Sequence, residues 1–373
     1  MRQSFKRKGT SDSVDSISPS TSIAIIGLGV RCAVGLTSPA AAAAVRAGIS
    51  GFSDHPYMLD KAGEPMVIAR EPTLDPTLQG AERFSQLVFP ALKEALAPLA
   101  QRNVSLQLVD TLIGTPDPRP GLPEGIQEAL GRLVASETSL MANRRTTFLP
   151  SGNAAGLLAM KQACDNLHAG RSRFCVAGGV DSYLTADSLE WMDEQGILKS
   201  SENRNGFPPG EAAGFCLLTT GATALEFKLP VLGWLKTVGT AREECPIRTE
   251  TICIGRGLSE AIKQATASLS LPDELVDESI CDLNGEPYRS EEFALTVLRT
   301  QKAFVDFSRF VTPADCWGDV GAASGPLFAN LAVMAGLRGY AKGPRTMIWA
   351  SSENGDRAAA VIVTPSLALG SNG

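Results

Sequence analysis

Histidine is almost missing from this chain of 373 residues: only His55 and His168 occur. Imidazole chemistry therefore has at most two bearers. Aromatic residues are scarce at 6%, so the core must be largely aliphatic and lined by alanine and glycine. No C-x-x-C pair is present. The eight cysteines, Cys32, Cys164, Cys175, Cys216, Cys245, Cys253, Cys281 and Cys316, are scattered without a nearby histidine, which excludes a zinc site and a disulfide framework as readings of the pattern and suits a reducing cytoplasm. No metal is expected. Basic charge is also in deficit, 34 Lys and Arg against 40 Asp and Glu for a net −6, which argues against a protein that holds phosphate backbones. Nucleic acid is thus not an expected partner.

A long apolar run is absent as well. The longest uncharged stretch, Val320 to Leu337, contains Gly321, Ser324, Gly325, Pro326 and Asn330, and reads as a buried helix rather than a membrane span. At the N-terminus Arg2, Lys6, Arg7 and Lys8 precede a Ser/Thr-rich run to Ser22 that lacks the apolar segment of a secretory signal. Residues 1–20 are expected to form a flexible tail, and 367–373 a second one. What remains is 44% hydrophobic, ample material for a large core, so a disordered chain or a small disulfide scaffold is excluded.

Ordered structure should begin near Thr21, where Ile23 to Val30 read as a buried strand closing in glycines. Those glycines do not make G-x-G-x-x-G, because Cys32 stands three residues after Gly29, so no dinucleotide cofactor is implied, nor any other. Phe84, Leu87, Val88, Leu92, Ala95, Leu96 and Leu99 recur at helical spacing and predict an amphipathic helix over 81–99, kinked or restarted at Pro90.

The second half then repeats the first in order. Val109–Ile113 is echoed by Val276–Ile280, both strands leading to turns. A small-residue helix over 153–169 running into the strand Phe174–Gly179 is matched by a helix over 321–340 running into Thr346–Ala350. Each half closes with an apolar strand, Gly214–Thr219 and Ala358–Val363. Alternating strands and helices in two related halves predict two α/β units packed face to face, taken here as 21–226 and 227–366.

Gly178-Gly179-Val180-Asp181-Ser182 followed by Asn205-Gly206-Phe207-Pro208-Pro209-Gly210-Glu211-Ala212-Ala213-Gly214 resembles the "GGADS … DGFVLGEGAG" signature of β-ketoacyl-acyl-carrier-protein synthases in the thiolase superfamily. Arg83-Phe84-Ser85-Gln86 and Gly321-Ala322-Ala323-Ser324-Gly325 are similar to two further signatures of that family. The resemblance spans roughly residues 21–365 and implies a five-layer αβαβα fold of two pseudo-duplicated halves, usually as a dimer.

The chemistry does not carry over. The family's nucleophilic cysteine falls on Asn153, within Pro150-Ser151-Gly152-Asn153-Ala154-Ala155-Gly156. Its two histidines fall on Asn284 and Asp319, and its lysine on Ala314. His168 follows Asn153 by 15 residues on one expected helix, roughly 22 Å away, and cannot substitute. His55, in a proline-flanked loop, has no partner motif.

Several alternatives stay open at the sequence level. Ser151 is either a rival nucleophile, needing an unusual base such as Lys161 or Asp319, or with Asn153 a helix cap. Cys281 and Cys316, each three residues before a lost histidine position, are displaced nucleophiles or small buried hydrophobes. Asn153, Asn284 and Asp319 either line a polar pocket for a ligand or fill an abandoned cavity with mutual hydrogen bonds. Asn354 takes the place of the family's gatekeeping phenylalanine, beside Gly355 in a tight turn near the former oxyanion hole. Glu211 is expected to tie down nearby backbone N–H groups.

The motif losses resemble those of thiolase-like pseudoenzymes in bacterial type VI secretion clusters. That resemblance implies a homodimeric scaffold or adaptor, with an effector or spike protein as partner. The rival is an acyltransferase or thioesterase acting on an acyl carrier protein or coenzyme A thioester.

Overall fold

The computed structural model describes residues 22–136, 145–247 and 249–365. Both expected tails lie outside them. The apolar run after Ser22 is strand β1 (Ile23–Cys32), followed by helix α1 (Ser38–Arg46) and a small hairpin of β2 (Phe52–Leu59) and β3 (Pro65–Ala69). The first half continues through α2 (Gly80–Gln101), β4 (Val109–Thr115), α3 (Ile126–Ser136), β5 (Arg145–Pro150), α4 (Ala155–His168), β6 (Phe174–Ser182), α5 (Ala186–Glu194) and β7 (Glu211–Thr220). α6 (Gly221–Glu226) closes the first half, and the second comprises β8 (Gly233–Arg242), α7 (Arg256–Thr266), β9 (Glu278–Cys281), α8 (Pro287–Thr300), β10 (Phe310–Val311), α9 (Ala314–Trp317), α10 (Ser324–Leu337), β11 (Arg345–Ser351) and β12 (Asp356–Val363).

The repeat read in the sequence is visible in the strand order. The first half runs β5-β4-β6-β7-β1 and the second β10-β9-β11-β12-β8. In each, the first two pairings are parallel and the last two antiparallel. Sequence periodicity did not show that β1 and β8 pair along Ile23–Ile25, which joins the halves into one ten-stranded sheet.

Helices supply the remaining layers. α2 and α3 cover the outer face of the first half, α7 and α8 that of the second, and α4 and α10 lie side by side between the inner faces. This is the five-layer α/β arrangement. α10 is buried along its whole length except at its last residue, which accounts for a stretch with neither charge nor amphipathic stripe. Gly179 lets a backbone approach that no side chain would allow: a Cβ there would meet the Ala322 carbonyl oxygen at 2.0 Å.

α2 does not restart at Pro90. It runs unbroken from Gly80 to Gln101 with Pro90 and Pro98 inside it. The lost hydrogen bond is outweighed by a buried stripe from Phe84 to Leu99. His55 also departs from expectation, since it sits in strand β2 rather than a loop, where its Nδ1 accepts from the backbone of Tyr57 and Met58 at 3.2 and 3.1 Å. Burial, with Arg83 and Arg70 nearby, holds its pKa below the usual value.

Candidate functional site

Strand β5 ends at Pro150 and the chain turns sharply into α4. Gly152 takes a left-handed φ of +57°, and a Cβ there would lie 2.5 Å from Asp117 Oδ2. The turn delivers Asn153, buried, to the head of the central helix. A matching turn at Gly321–Ala323 precedes α10, and Asp319 lies just before it. Asn284 comes from the loop after β9, so both halves contribute to one point.

There the three side chains meet. Asn153 Nδ2 donates to Asp319 Oδ1 and Oδ2 at 3.1 and 3.3 Å, and Asn284 Nδ2 donates to Asp319 Oδ2 at 2.7 Å. The Gly321 N–H donates to Asp319 Oδ1 at 2.8 Å. Behind them, Arg289 pairs with Asp282 at 2.6 Å and Glu286 at 3.3 Å, and stands 4.0 Å from Asp319. Asn284 also donates to Glu286 at 3.1 Å. Three buried carboxylates thus share one guanidinium. Burial, against the pull of Arg289, pushes Asp282 up to about 6, and burial raises Glu286 as well.

Ser151 and Asn153 do not cap the helix. Neither makes a side-chain cap hydrogen bond, because Asn153 is spent on Asp319 and the Ser151 hydroxyl donates to Asp356 Oδ2. The cap comes from the other half: Ser352 Oγ accepts from the Ala154 N–H at 2.8 Å. The side chain that accepts from the Ser151 hydroxyl is accordingly that of Asp356, and the expected bases Lys161 and Asp319 are engaged elsewhere. Lys161 is paired with Asp165 on the surface at 2.7 Å.

Asn354 and Gly355 form the turn between β11 and β12. Asn354 Nδ2 donates to Asp117 Oδ1 at 2.9 Å and its Oδ1 accepts from the Asp356 N–H at 2.8 Å, while Gly355 has φ +103°. Cys281 is a buried hydrophobe whose thiol donates weakly to the Val311 carbonyl at 3.8 Å, and burial raises its pKa and that of Cys316. His168 ends α4, thirteen residues after its first, Ala155.

A cavity of about 220 Å³ opens beside Asn153, lined also by Asp117, Arg119, Tyr183, Trp191 and Phe207. Asn284, Asp319, Asn354 and Gly355 do not line it. Asp117 is pushed up to about 6, chiefly by burial and secondarily by nearby carboxylates, against its hydrogen bond from Asn354. Arg119 binds Asp181 at 2.5 Å and lies 4.0 Å over the Tyr183 ring, while its buried Nε finds no partner among the described residues. Sequence reading missed Asp117, Arg119 and Asp356. The one local signal was the proline bracket Pro116-Asp117-Pro118-Arg119-Pro120, which stiffens that loop.

Glu211 does what was expected and more. It accepts from the Glu71 N–H at 3.0 Å and from Ser182 Oγ at 2.8 Å, and it holds Arg83 of the second signature in a buried bidentate pair at 2.6 and 2.8 Å. Away from the site, Glu243, Cys253 and Glu292 bring ligand atoms within 4.8 Å of one another, but Glu292 already pairs with Arg357 at 2.7 Å. Among the described residues no helix is long and apolar enough to cross a membrane.

The model of the β-ketoacyl synthase N-terminal domain matches residues 145–224, the stretch holding Asn153 and Glu211. The solved ishigamide ketosynthase/chain length factor aligns over 93% of this chain and 100% of its own at a TM-score of 0.78 and 18% identity. This chain has a ketosynthase-like fold. The ketosynthase-like chain also superposes on a ketosynthase in complex with its chain length factor from Xenorhabdus doucetiae, at a TM-score of 0.73 and 16% identity over 92% of this chain and 98% of the other. By sequence it is 25% identical over 192 residues, 47% of its length, to a highly reducing polyketide synthase of Aspergillus terreus. That alignment spans only 8% of the synthase, and another with a Bacillus subtilis polyketide synthase spans only 2%.

Proposed function

We propose that this chain binds rather than condenses, as a cytoplasmic scaffold or adaptor of ketosynthase fold that works as a dimer. The observation that carries the reading is the closed set of hydrogen bonds joining Asn153, Asp319 and Asn284. Condensation needs an activated nucleophile and donors aimed at developing negative charge. Here a carboxamide stands in for the nucleophile, and the group bonded to it is a carboxylate. Asp319 would repel that charge rather than hold it.

The pairing of a ketosynthase with its chain length factor supports a partner of the same fold, and the resemblance to secretion-cluster pseudoenzymes supports an effector or spike component. Purification of the tagged chain from its native host tells these apart. Recovery of the homodimer alone overturns the adaptor reading.

Acyl transfer through Ser151 is the second reading, favoured by the hydrogen bond from its hydroxyl to Asp356. Arg242 pairs with the same carboxylate at 3.1 Å. Intact-mass measurement after incubation with acyl and malonyl thioesters of coenzyme A and acyl carrier protein decides between them. Binding without covalent change or decarboxylation is expected. An adduct that disappears in Ser151→Ala overturns the non-catalytic reading.

A further inference from the structure

A second cavity, of about 350 Å³, lies between α1, the start of β9, β10 and the far end of α10. It is separate from the Asn153 cluster. Leu331 and Ala335, in its wall, follow the head of α10 at Ser324 by seven and eleven residues, about 10–17 Å along the helix axis. Its volume falls at the small end of the roughly 300–1,000 Å³ of small-molecule sites.

The lining is sorted by chemistry. Val45, Ile280, Val311 and Leu331 supply branched aliphatic surface. Arg46, Lys342 and Glu278 supply two cations and one anion, and Tyr340 lies under the Arg46 guanidinium at 4.1 Å from its ring centroid. Glu278 is half-buried, yet its carboxylate makes no hydrogen bond or ion pair with any described residue; only the longer-range pull of Lys342 and Arg309 offsets its burial. A carboxylate held out of water without a donor costs free energy that a bound cation would recover. Arg46 and Lys342 likewise have no carboxylate partner within ion-pair distance among the described residues.

We propose that this cavity binds a small apolar α-amino acid as a zwitterion, its ammonium on Glu278, its carboxylate between Arg46 and Lys342, and its side chain against Val45, Ile280 and Leu331. A ligand with only one charge leaves the opposite group uncompensated. A zwitterion satisfies both signs, and the aliphatic wall selects a branched side chain over a polar one.

Calorimetric titration of the full chain with L-leucine tests this, with 4-methylpentanoate and 3-methylbutylamine as the two half-ligands. Leucine should bind saturably, and each half-ligand at least about tenfold more weakly, the worth of one charge-assisted hydrogen bond. Glu278→Gln should abolish the preference for leucine over 4-methylpentanoate, and Ala335→Met, which fills the wall, should remove binding of both, with circular dichroism confirming that each variant is folded. Absence of saturable leucine binding, equal binding of leucine and 4-methylpentanoate by the parent chain, or an unchanged preference in folded Glu278→Gln overturns the proposal.

Discussion

Asn153 aims its carboxamide nitrogen at both oxygens of Asp319, at 3.1 and 3.3 Å, across the junction of the two central helices. The two side chains are therefore bonded to each other, and Asp319 also accepts from Asn284 and the Gly321 N–H. Their energetics are those of a buried structural pair, and that makes them testable by means other than activity.

Restoring sulfur should not restore reactivity. In Asn153→Cys the new thiol would face the Asp319 carboxylate, and a neighbouring negative charge disfavours thiolate despite the helix N-terminus behind it. Peptide-resolved mass spectrometry should find iodoacetamide labelling at that position no faster than free cysteine at neutral pH, and no condensation product with malonyl thioesters.

Removing the acceptor should hurt more than removing one donor. Asp319→Ala strands Asn153, Asn284 and the Gly321 N–H and unbalances Arg289, which predicts a loss of about 3–5 kcal/mol, whereas Asn153→Ala should cost about 1–3 kcal/mol. Urea denaturation of the two variants against the parent measures the difference. Equal losses would show that Asp319 is not the hub.

Asp117 predicts a pH signature. Its folded pKa of about 6 stands above the ordinary 3.8, so the folded state takes up this proton before the unfolded chain does as pH falls. Its contribution to stability is therefore fully present below about pH 4 and is lost as pH rises through 6. Asp117→Asn removes the charge that burial penalises. The variant's melting temperature should gain on the parent's as pH rises from 4 to 6 and run parallel to it above 7. A constant difference across that range would mean that Asp117 is ionised like an exposed carboxylate.

Arg83 and Glu211 should behave as one unit. Each single change to leucine leaves a buried charge without its partner and should cost about 3–5 kcal/mol, while the double change should cost clearly less than the sum. Additive losses in the double-mutant cycle would contradict the coupling that the bidentate geometry implies.

Much of this was legible in the sequence for a physical reason. Duplication leaves its trace in local patterns, such as the glycine-rich turns that precede α4 and α10, and these need no knowledge of distant contacts. The positions of Asn153, Asn284 and Asp319 could be read because each sits at a fixed offset from such a turn. The groups that complete the site could not. Asp356 reaches Ser151 over 205 positions and Asn354 reaches Asp117 over 237, and no periodicity in the chain encodes either meeting. The cap on α4 escaped for the same reason, since the nearby hydroxyl of Ser151 was the local acceptor on offer and Ser352 of the opposite half supplies the oxygen instead. Pro90 misled because local propensity was weighed without the apolar surface that α2 covers.

The seam between β1 and β8 is only three residues wide, whereas α4, α10 and the strands packed on them share one apolar core drawn from both halves. Severing the polypeptide between α6 and β8 would thus break little of the hydrogen-bonded ladder but would strip the oil-filled middle from both pieces. Two such fragments should be insoluble when made separately and should reassociate when made together, with the helix pair acting as the glue that the narrow strand contact cannot provide.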